Sequence, residues 1–191
     1  MVAATLPTLA SAVLDLIEAR ATSDPLNALR DVLHMYVQQF HSTGSLVQEA
    51  VDDEVLLHVS PSLTVYHITL SPGVQYPPHN HLMDALVGIY KGSEMNLIYS
   101  PRDGSRVSAA TRQEVHAPSV IHMDANAVHA VANTGPGRSG ALHVYLGDLP
   151  GTRRQLWAAD GLQPEDFDNA RYLVGARPIA LNSNLEGKET S

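Results

Sequence analysis

The sequence contains no cysteine. This absence excludes disulfides, cysteine-ligated zinc and iron–sulfur clusters, thiol nucleophiles and thiol-based redox switches. Any metal must therefore be held by nitrogen and oxygen ligands. Long hydrophobic runs are also lacking, since none approaches the roughly 20 apolar residues of a membrane-spanning helix. The apolar N-terminus carries Asp15 and Glu18 and has no basic start, unlike a signal peptide, so we expect a cytoplasmic protein without a membrane partner.

Positive charge is scarce as well. Twelve Lys and Arg stand against twenty Asp and Glu, a formal net charge of −8, which opposes binding to nucleic acid. Hydrophobic residues make up 44% and charged residues 17% of the chain, as in ordinary folded proteins. At roughly 100–200 residues per domain, a chain of 191 residues predicts a single domain. Its oligomeric state is left open.

Residues 1–42 have a helical pattern. Apolar positions recur at helical spacing from Leu9 to Ile17, and Ser23-Asp24-Pro25 is typical of the start of a second helix, with proline at its first position. One face of that helix is apolar: Leu26, Leu29, Leu33, Tyr36, Val37 and Phe40. We expect both helices to pack on a β-barrel.

Residues 50–150 contain short apolar runs broken by turn sequences, with no helical pattern between them, which indicates an antiparallel sandwich or barrel. The predicted strands are Val55–Val59, Leu63–Leu70, Ala85–Tyr90, Glu94–Ser100, Arg106–His116, Val128–Asn133 and Gly140–Leu146. Residues 151–181 are predicted to form a C-terminal extension, with a helical turn near Pro164–Ala170 and an irregular segment to Pro178. Residues 182–191 are predicted to be a flexible tail.

Histidine is abundant, with ten in the chain. His79 and His81 are two residues apart in a predicted strand, so their imidazoles lie on the same face. His129 lies in another predicted strand and offers a third imidazole. Three nitrogen donors from one sheet predict a metal site.

These residues resemble the cupin superfamily, whose first motif is Gly-x5-His-x-His-x(3,4)-Glu-x6-Gly and whose second ends in His-x3-Asn. Gly73, His79, His81 and Gly92 fit the first motif, and His129 and Asn133 fit the second. The resemblance implies a mostly β fold with N-terminal helices, in which the barrel is the cupin double-stranded β-helix, or jelly roll.

The sequence departs from the family at the glutamate ligand, where it has Ala85 or Leu86. Asp84 lies close by but on the opposite strand face from His81. Three neutral imidazoles leave a divalent ion with its full charge and open coordination positions, a combination that favours anionic, chelating substrates.

Within the superfamily, the chain resembles the thiol dioxygenases that act on cysteine or 3-mercaptopropionate. His143 and Tyr145 match the family's pocket array Ser-x-His-x-Tyr, with Ala141 in place of its serine. Arg154, in the pair Arg153-Arg154, matches a residue that helps to hold the substrate carboxylate. Leu86 stands where animal cysteine dioxygenases carry a cysteine crosslinked to the tyrosine, so no such crosslink can form.

The resemblance implies an enzyme that uses Fe(II) and O2 to oxidise a small carboxylate-bearing thiol to a sulfinate. His79, His81 and His129 would be the metal ligands, and Tyr145, oriented by His143, would be catalytic. Arg154 would bind the substrate. Other divalent metals also suit imidazole ligands.

Two alternatives remain open from the sequence. A three-histidine cupin can cleave carbon–carbon bonds of a diketone-like substrate, or it can bind metal without catalysis, because fold does not determine function. Whether His58, His67 or Arg153 lines the pocket is also open.

Overall fold

The computed structural model describes residues 7–44, 54–102, 106–157 and 163–179. Two helices come first, α1 (Leu9–Arg20) and α2 (Pro25–Thr43). Ten strands follow: β1 (Glu54–Ser60), β2 (Leu63–Leu70), β3 (Val74–Gln75), β4 (His79–Asn80), β5 (Ala85–Lys91), β6 (Ser93–Arg102), β7 (Arg106–His116), β8 (Ser119–Met123), β9 (Val128–Asn133) and β10 (Ser139–Tyr145). The C-terminal elements are β11 (Gln155–Trp157), β12 (Pro164–Asp166), α3 (Asn169–Val174) and β13 (Arg177–Pro178). None of the described helices is long and apolar enough to span a bilayer.

The strands form two antiparallel sheets. One has the order β1-β2-β10-β5-β8, and in the other β3 and β4 pair with β9, which pairs with β6, which pairs with β7. If β3 and β4 are taken as one interrupted strand, and β1 and the C-terminal strands β11 to β13 are set aside, the two sheets contribute four strands each. The chain passes repeatedly from one sheet to the other. This is the strand order of a jelly roll. The expected cupin double-stranded β-helix with N-terminal helices is confirmed.

Helix α2 covers the outer face of β5, and α1 packs on α2 and on β1 and β2. Thr8 and Ser11 form a capping box at the start of α1, and Gly44 ends α2 with a φ of 62°, which suits glycine. A Cβ on Gly88 would lie 2.7 Å from side-chain atoms of Leu33 and Val37, so only glycine lets α2 approach β5 this closely. The helices and strands share one buried apolar cluster.

Alternation along β5 separates this apolar layer from the barrel interior. Leu86 and Tyr90 belong to the cluster under the helices, whereas Ala85 and Val87 pack with Tyr145 inside the barrel. Ala85 is also the register partner of Tyr145. The expectation that Leu86 stands next to the tyrosine is therefore wrong, because the two-residue period of the strand points Leu86 to the opposite face.

The predicted barrel strands agree with the structure to within two residues at each end. The strand β8 was not predicted. It contains Ser119–Met123 and is only partly buried, so its sequence lacks the apolar run used to recognise the others.

The C-terminal extension returns to the barrel instead of continuing as an irregular segment. The β11 strand pairs with β4, and β13 pairs with β3. The helix expected near Pro164–Ala170 is found later, at Asn169–Val174, where the Asp168 side chain accepts a hydrogen bond from the Arg171 backbone N–H at 2.8 Å. The expected flexible tail, 182–191, lies outside the described residues.

Candidate metal centre

Three histidines meet where β4 pairs with β9. His79 is in β4, His81 follows that strand, and His129 is in β9. Because β4 pairs with β9, with His79 opposite His129, residues some fifty positions apart in sequence become neighbours. The structure thus brings together all three predicted ligands.

The three imidazoles converge through their Nε2 atoms. The Nε2 of His81 lies 3.2 Å from that of His79 and 3.4 Å from that of His129. All three side chains are buried, and in the described residues they are the only group of three or more histidine or carboxylate side chains arranged to hold a metal.

Their hydrogen bonds determine which nitrogen faces the centre. The Nδ1 of His79 lies 3.1 Å from the carbonyl oxygen of Pro77, which can only accept, so His79 is protonated on Nδ1 and presents an Nε2 lone pair. The Nδ1 of His129 lies 3.0 Å from Oδ1 of Asn96, which gives the same tautomer. Such bonds from the far nitrogen are typical of metal-bound histidines.

The electrostatics of the cluster also suit a cation. Burial lowers the pKa of His79 and of His81 well below the usual range, and neighbouring histidines lower both further. Burial lowers the pKa of His129 to about 4. Neutral imidazoles with facing lone pairs repel one another unless a cation or proton lies between them, so the residues fit a divalent transition metal.

No described carboxylate joins the cluster. Asp84 instead accepts a hydrogen bond from Nε2 of His122 at 2.8 Å, and both side chains are partly exposed. Ala85 occupies the interior position at the start of β5 and has no ligand atom. A metal at this centre would keep its full positive charge, since nothing anionic from the described chain reaches it.

Tyr145 and His143 lie beside the histidines on one face of β10. The Tyr145 ring meets the His81 ring edge to face at 4.9 Å between centroids, and its hydroxyl lies 3.3 Å from Nδ1 of His143. Burial raises the pKa of the Tyr145 phenol and lowers that of His143 to about 3. Both side chains are therefore neutral near pH 7, and the phenol keeps its proton.

Arg154 brings a positive charge to the same cavity. Its guanidinium carbon lies 3.4 Å from the centroid of the Phe167 ring, a cation–π contact. Burial lowers the Arg154 pKa, and the Arg154 charge lowers the pKa of both His79 and His81. Arg153 points elsewhere, since it is exposed and forms an ion pair with Asp166 at 2.8 Å.

The cavity that contains these groups has a volume of about 800 Å³. Its polar lining includes every predicted site residue: His79, His81, His129, His143, Tyr145 and Arg154. His58 and His67 do not line it. His67 lies on the opposite face of β2, where its Nε2 is 2.6 Å from the Tyr90 hydroxyl.

Three residues of the site were not expected from the sequence. Phe167 and Tyr172 form an aromatic wall against His79, with ring centroids 6.1 and 4.9 Å away, and Asn96 is the hydrogen-bond partner of His129. The aromatic wall depends on the return of the C-terminal segment, which leaves no local pattern in the sequence. Asn96, a polar residue within a predicted strand, was the one available signal.

No protein-family model matches the chain. Among solved structures, it is similar to an RmlC-like cupin family protein with a double-stranded β-helix fold from Methanocaldococcus jannaschii, with 16% identity over 54% of this chain and 87% of that one and a TM-score of 0.44. A cupin superfamily protein from Desulfitobacterium hafniense is 18% identical over 52% of this chain and 84% of its own, with a TM-score of 0.42. A structure of oxalate oxidase is 16% identical over 54% of this chain and 55% of that chain, with a TM-score of 0.43. The fold itself is established by the strand order.

Proposed function

We propose that this protein is a metal-dependent dioxygenase that oxidises a small carboxylate-bearing thiol to its sulfinate. The observation that carries the proposal is the position of Arg154, whose guanidinium lines the same cavity as His79, His81 and His129. A substrate with a thiol at one end and a carboxylate at the other can then reach both the metal centre and a fixed positive charge.

The metal would be held by the Nε2 atoms of the three histidines. Bound there, ferrous iron would supply the electron transfer by which O2 oxidises the substrate sulfur. Because the three imidazoles are neutral and no described carboxylate joins them, the described ligands do not offset the cation's charge. This favours the thiolate form of the substrate. The overall reaction, RSH + O2 → RSO2⁻ + H⁺, is balanced and releases one proton.

The remaining residues position the substrate. Arg154 would bind the carboxylate through two parallel hydrogen bonds along one edge of the planar guanidinium. The Phe167 ring lies against the guanidinium and holds it in place. Tyr145 carries its proton at neutral pH and lies against His81, so its hydroxyl can donate a hydrogen bond to an anionic group at the metal. His143 orients that hydroxyl.

Metal analysis and oxygen consumption test the proposal. The purified protein should contain about one equivalent of a transition metal, and His129→Ala should lose it. The exposed His116→Ala variant controls for the loss of a histidine as such. Iron-loaded protein should consume O2 and form sulfinate with 3-mercaptopropionate or a related thiol carboxylate.

The same assay separates the alternatives. Oxygen consumption with acetylacetone and none with thiols would replace the proposal with carbon–carbon bond cleavage. Metal binding without turnover of cysteine, cysteamine, mercaptosuccinate, 3-mercaptopropionate or acetylacetone would favour a non-catalytic metal-binding cupin. Metal content unchanged in His129→Ala would contradict the three-histidine site itself.

A further inference from the structure

The cavity is much larger than a simple thiol carboxylate. If each of its six non-hydrogen atoms takes the ~30 Å³ that one water molecule occupies in the liquid, 3-mercaptopropionate occupies only about 200 Å³. The cavity measures about 800 Å³, which lies in the range of pockets that take drug-sized ligands. Most of its volume therefore remains for a further part of the substrate.

The wall beyond the polar groups is apolar. Ile68, Leu70 and Val131 line the cavity and belong to one buried cluster with Tyr172. Leu56 and Leu173 also line it, yet they are 46% and 43% exposed, so they form part of its rim. Leucines exposed at the mouth of a cavity gain contacts when an apolar group covers them.

The charges at the cavity restrict what the additional group can be. Arg154 is matched to one carboxylate. Asp168 also lines the cavity, and a negative charge there disfavours a second carboxylate on the substrate. An uncharged extension is favoured over an acidic one.

From these observations we infer that the substrate is a thiol carboxylate with an apolar substituent of aryl or branched alkyl size, which packs on Leu56, Leu173 and the adjacent apolar wall. The inference rests on the proposed function for its thiol and carboxylate. It adds that short thiols such as 3-mercaptopropionate are oxidised, but more slowly than thiol carboxylates with an apolar substituent, and that mercaptosuccinate is slower still.

Binding of thiol-free carboxylates tests the apolar part without turnover. The probes are propanoate and 2-benzylpropanoate, which share the carboxylate and differ by one benzyl group, titrated calorimetrically into the metal-containing protein. Burial of a benzyl group against leucine predicts at least a tenfold lower Kd for 2-benzylpropanoate. Equal dissociation constants for the two probes would overturn the inference.

Variants locate the contact. Leu56→Ser and Leu173→Ser should each weaken 2-benzylpropanoate at least threefold and leave propanoate unchanged. Val174→Ser is the matched control, because Val174 is 86% exposed, follows Leu173 in α3 and does not line the cavity. Both leucines are half-exposed, so their replacement should leave the melting temperature nearly unchanged. An unchanged Kd for 2-benzylpropanoate in both leucine variants would contradict the proposed contact.

Turnover distinguishes this inference from the proposed function. The kcat/KM for sulfinate formation should be at least tenfold higher with 2-benzyl-3-mercaptopropanoate than with 3-mercaptopropionate. Selective binding of 2-benzylpropanoate with no sulfinate from either thiol would remove the proposed function and keep the apolar site. Sulfinate formed equally well from both thiols, without selective binding, would keep the function and remove the apolar site.

Discussion

The two faces of strand β10 differ sharply in chemistry. On its outer face, Leu142 and Val144 are fully buried with Leu33 and Leu86 under the helices. On its inner face, His143 and Tyr145 line the cavity. The outer layer is a close-packed apolar core, whereas the inner side holds neutral but polar groups that solvent barely reaches.

The two sides of the strand also differ in their buried polar atoms that lack a hydrogen-bond partner. The described buried side-chain nitrogen and oxygen atoms without a hydrogen-bond partner are His81 Nδ1, Glu94 Oε2, Asn96 Nδ2 and His143 Nε2. All belong to side chains of the barrel interior. A buried polar atom without a protein partner reduces stability by about 1–3 kcal/mol unless water or a ligand reaches it, so we expect the inner side to contribute less to stability than the outer layer. This division is typical of a site for ligands set into a stable scaffold.

The largest predicted effect is on the outer layer. Leu33 is fully buried over Gly88, so Leu33→Ala should lower the free energy of unfolding by about 3–4 kcal/mol through lost contacts and a cavity. Denaturant unfolding measures the change. Met35→Ala, on the exposed side of the same helix, is the control and should change stability by less than about 0.5 kcal/mol. Equal effects would show that the helix layer does not carry the stability.

The next effect concerns Glu94, a buried carboxyl inside the barrel. Burial raises its pKa to about 7, although the Ser139 hydroxyl donates a hydrogen bond to it. The native state therefore holds a proton that the unfolded chain, with a pKa of 4.5, has released. The contribution of Glu94 to the free energy of unfolding therefore falls as the pH rises from about 4.5 to about 7, by up to about 3 kcal/mol.

Glu94→Gln should remove this decrease. Compared with the unaltered protein, the variant should gain stability progressively between pH 4.5 and 7 and keep the gain at pH 8. Urea unfolding at a series of pH values measures the difference, with the exposed Glu18→Gln as control. A variant whose stability parallels the unaltered protein at every pH would show that Glu94 is ionised in the fold.

A smaller effect is expected for the positive charge in the cavity. Arg154→Gln should weaken binding of carboxylate ligands by about 2 kcal/mol, roughly thirtyfold in Kd, because the charge-assisted hydrogen bonds are lost. Neutral amides of the same ligands should bind as before. Arg153→Gln is the matched control, since Arg153 is paired with Asp166 outside the cavity. A similar loss for carboxylates and amides would argue against a carboxylate site at Arg154.

The smallest effect on stability is expected for Tyr145→Phe. The substitution removes one hydroxyl, which lies 3.3 Å from His143, and should lower the free energy of unfolding by about 1 kcal/mol. Metal content should not change, because no histidine ligand is altered. Sulfinate formation should fall much more than stability, and equal activity of the two proteins would remove the role proposed for the phenol.

The sequence by itself determined the two N-terminal helices, most of the long barrel strands and one pair of candidate ligands. The two-residue period of a strand places His79 and His81 on one face whatever the rest of the chain does, and alternation along β10 does the same for His143 and Tyr145. The start of α2 at Pro25 follows from the fixed φ of proline, which suits the first helical position, and Thr8 caps the start of α1. These features are local because backbone geometry repeats over a few residues.

The tertiary structure alone decided which elements meet. The pairing of β4 with β9 places His129 beside His79, and register across β5 and β10 puts Ala85, and not Leu86, next to Tyr145. The return of the C-terminal segment brings Phe167 and Tyr172 to the metal centre. Such contacts join residues far apart in sequence. No local pattern sets the relative positions of these residues, because they depend on loop closure and on how whole layers pack. The size of the cavity is a product of the same packing.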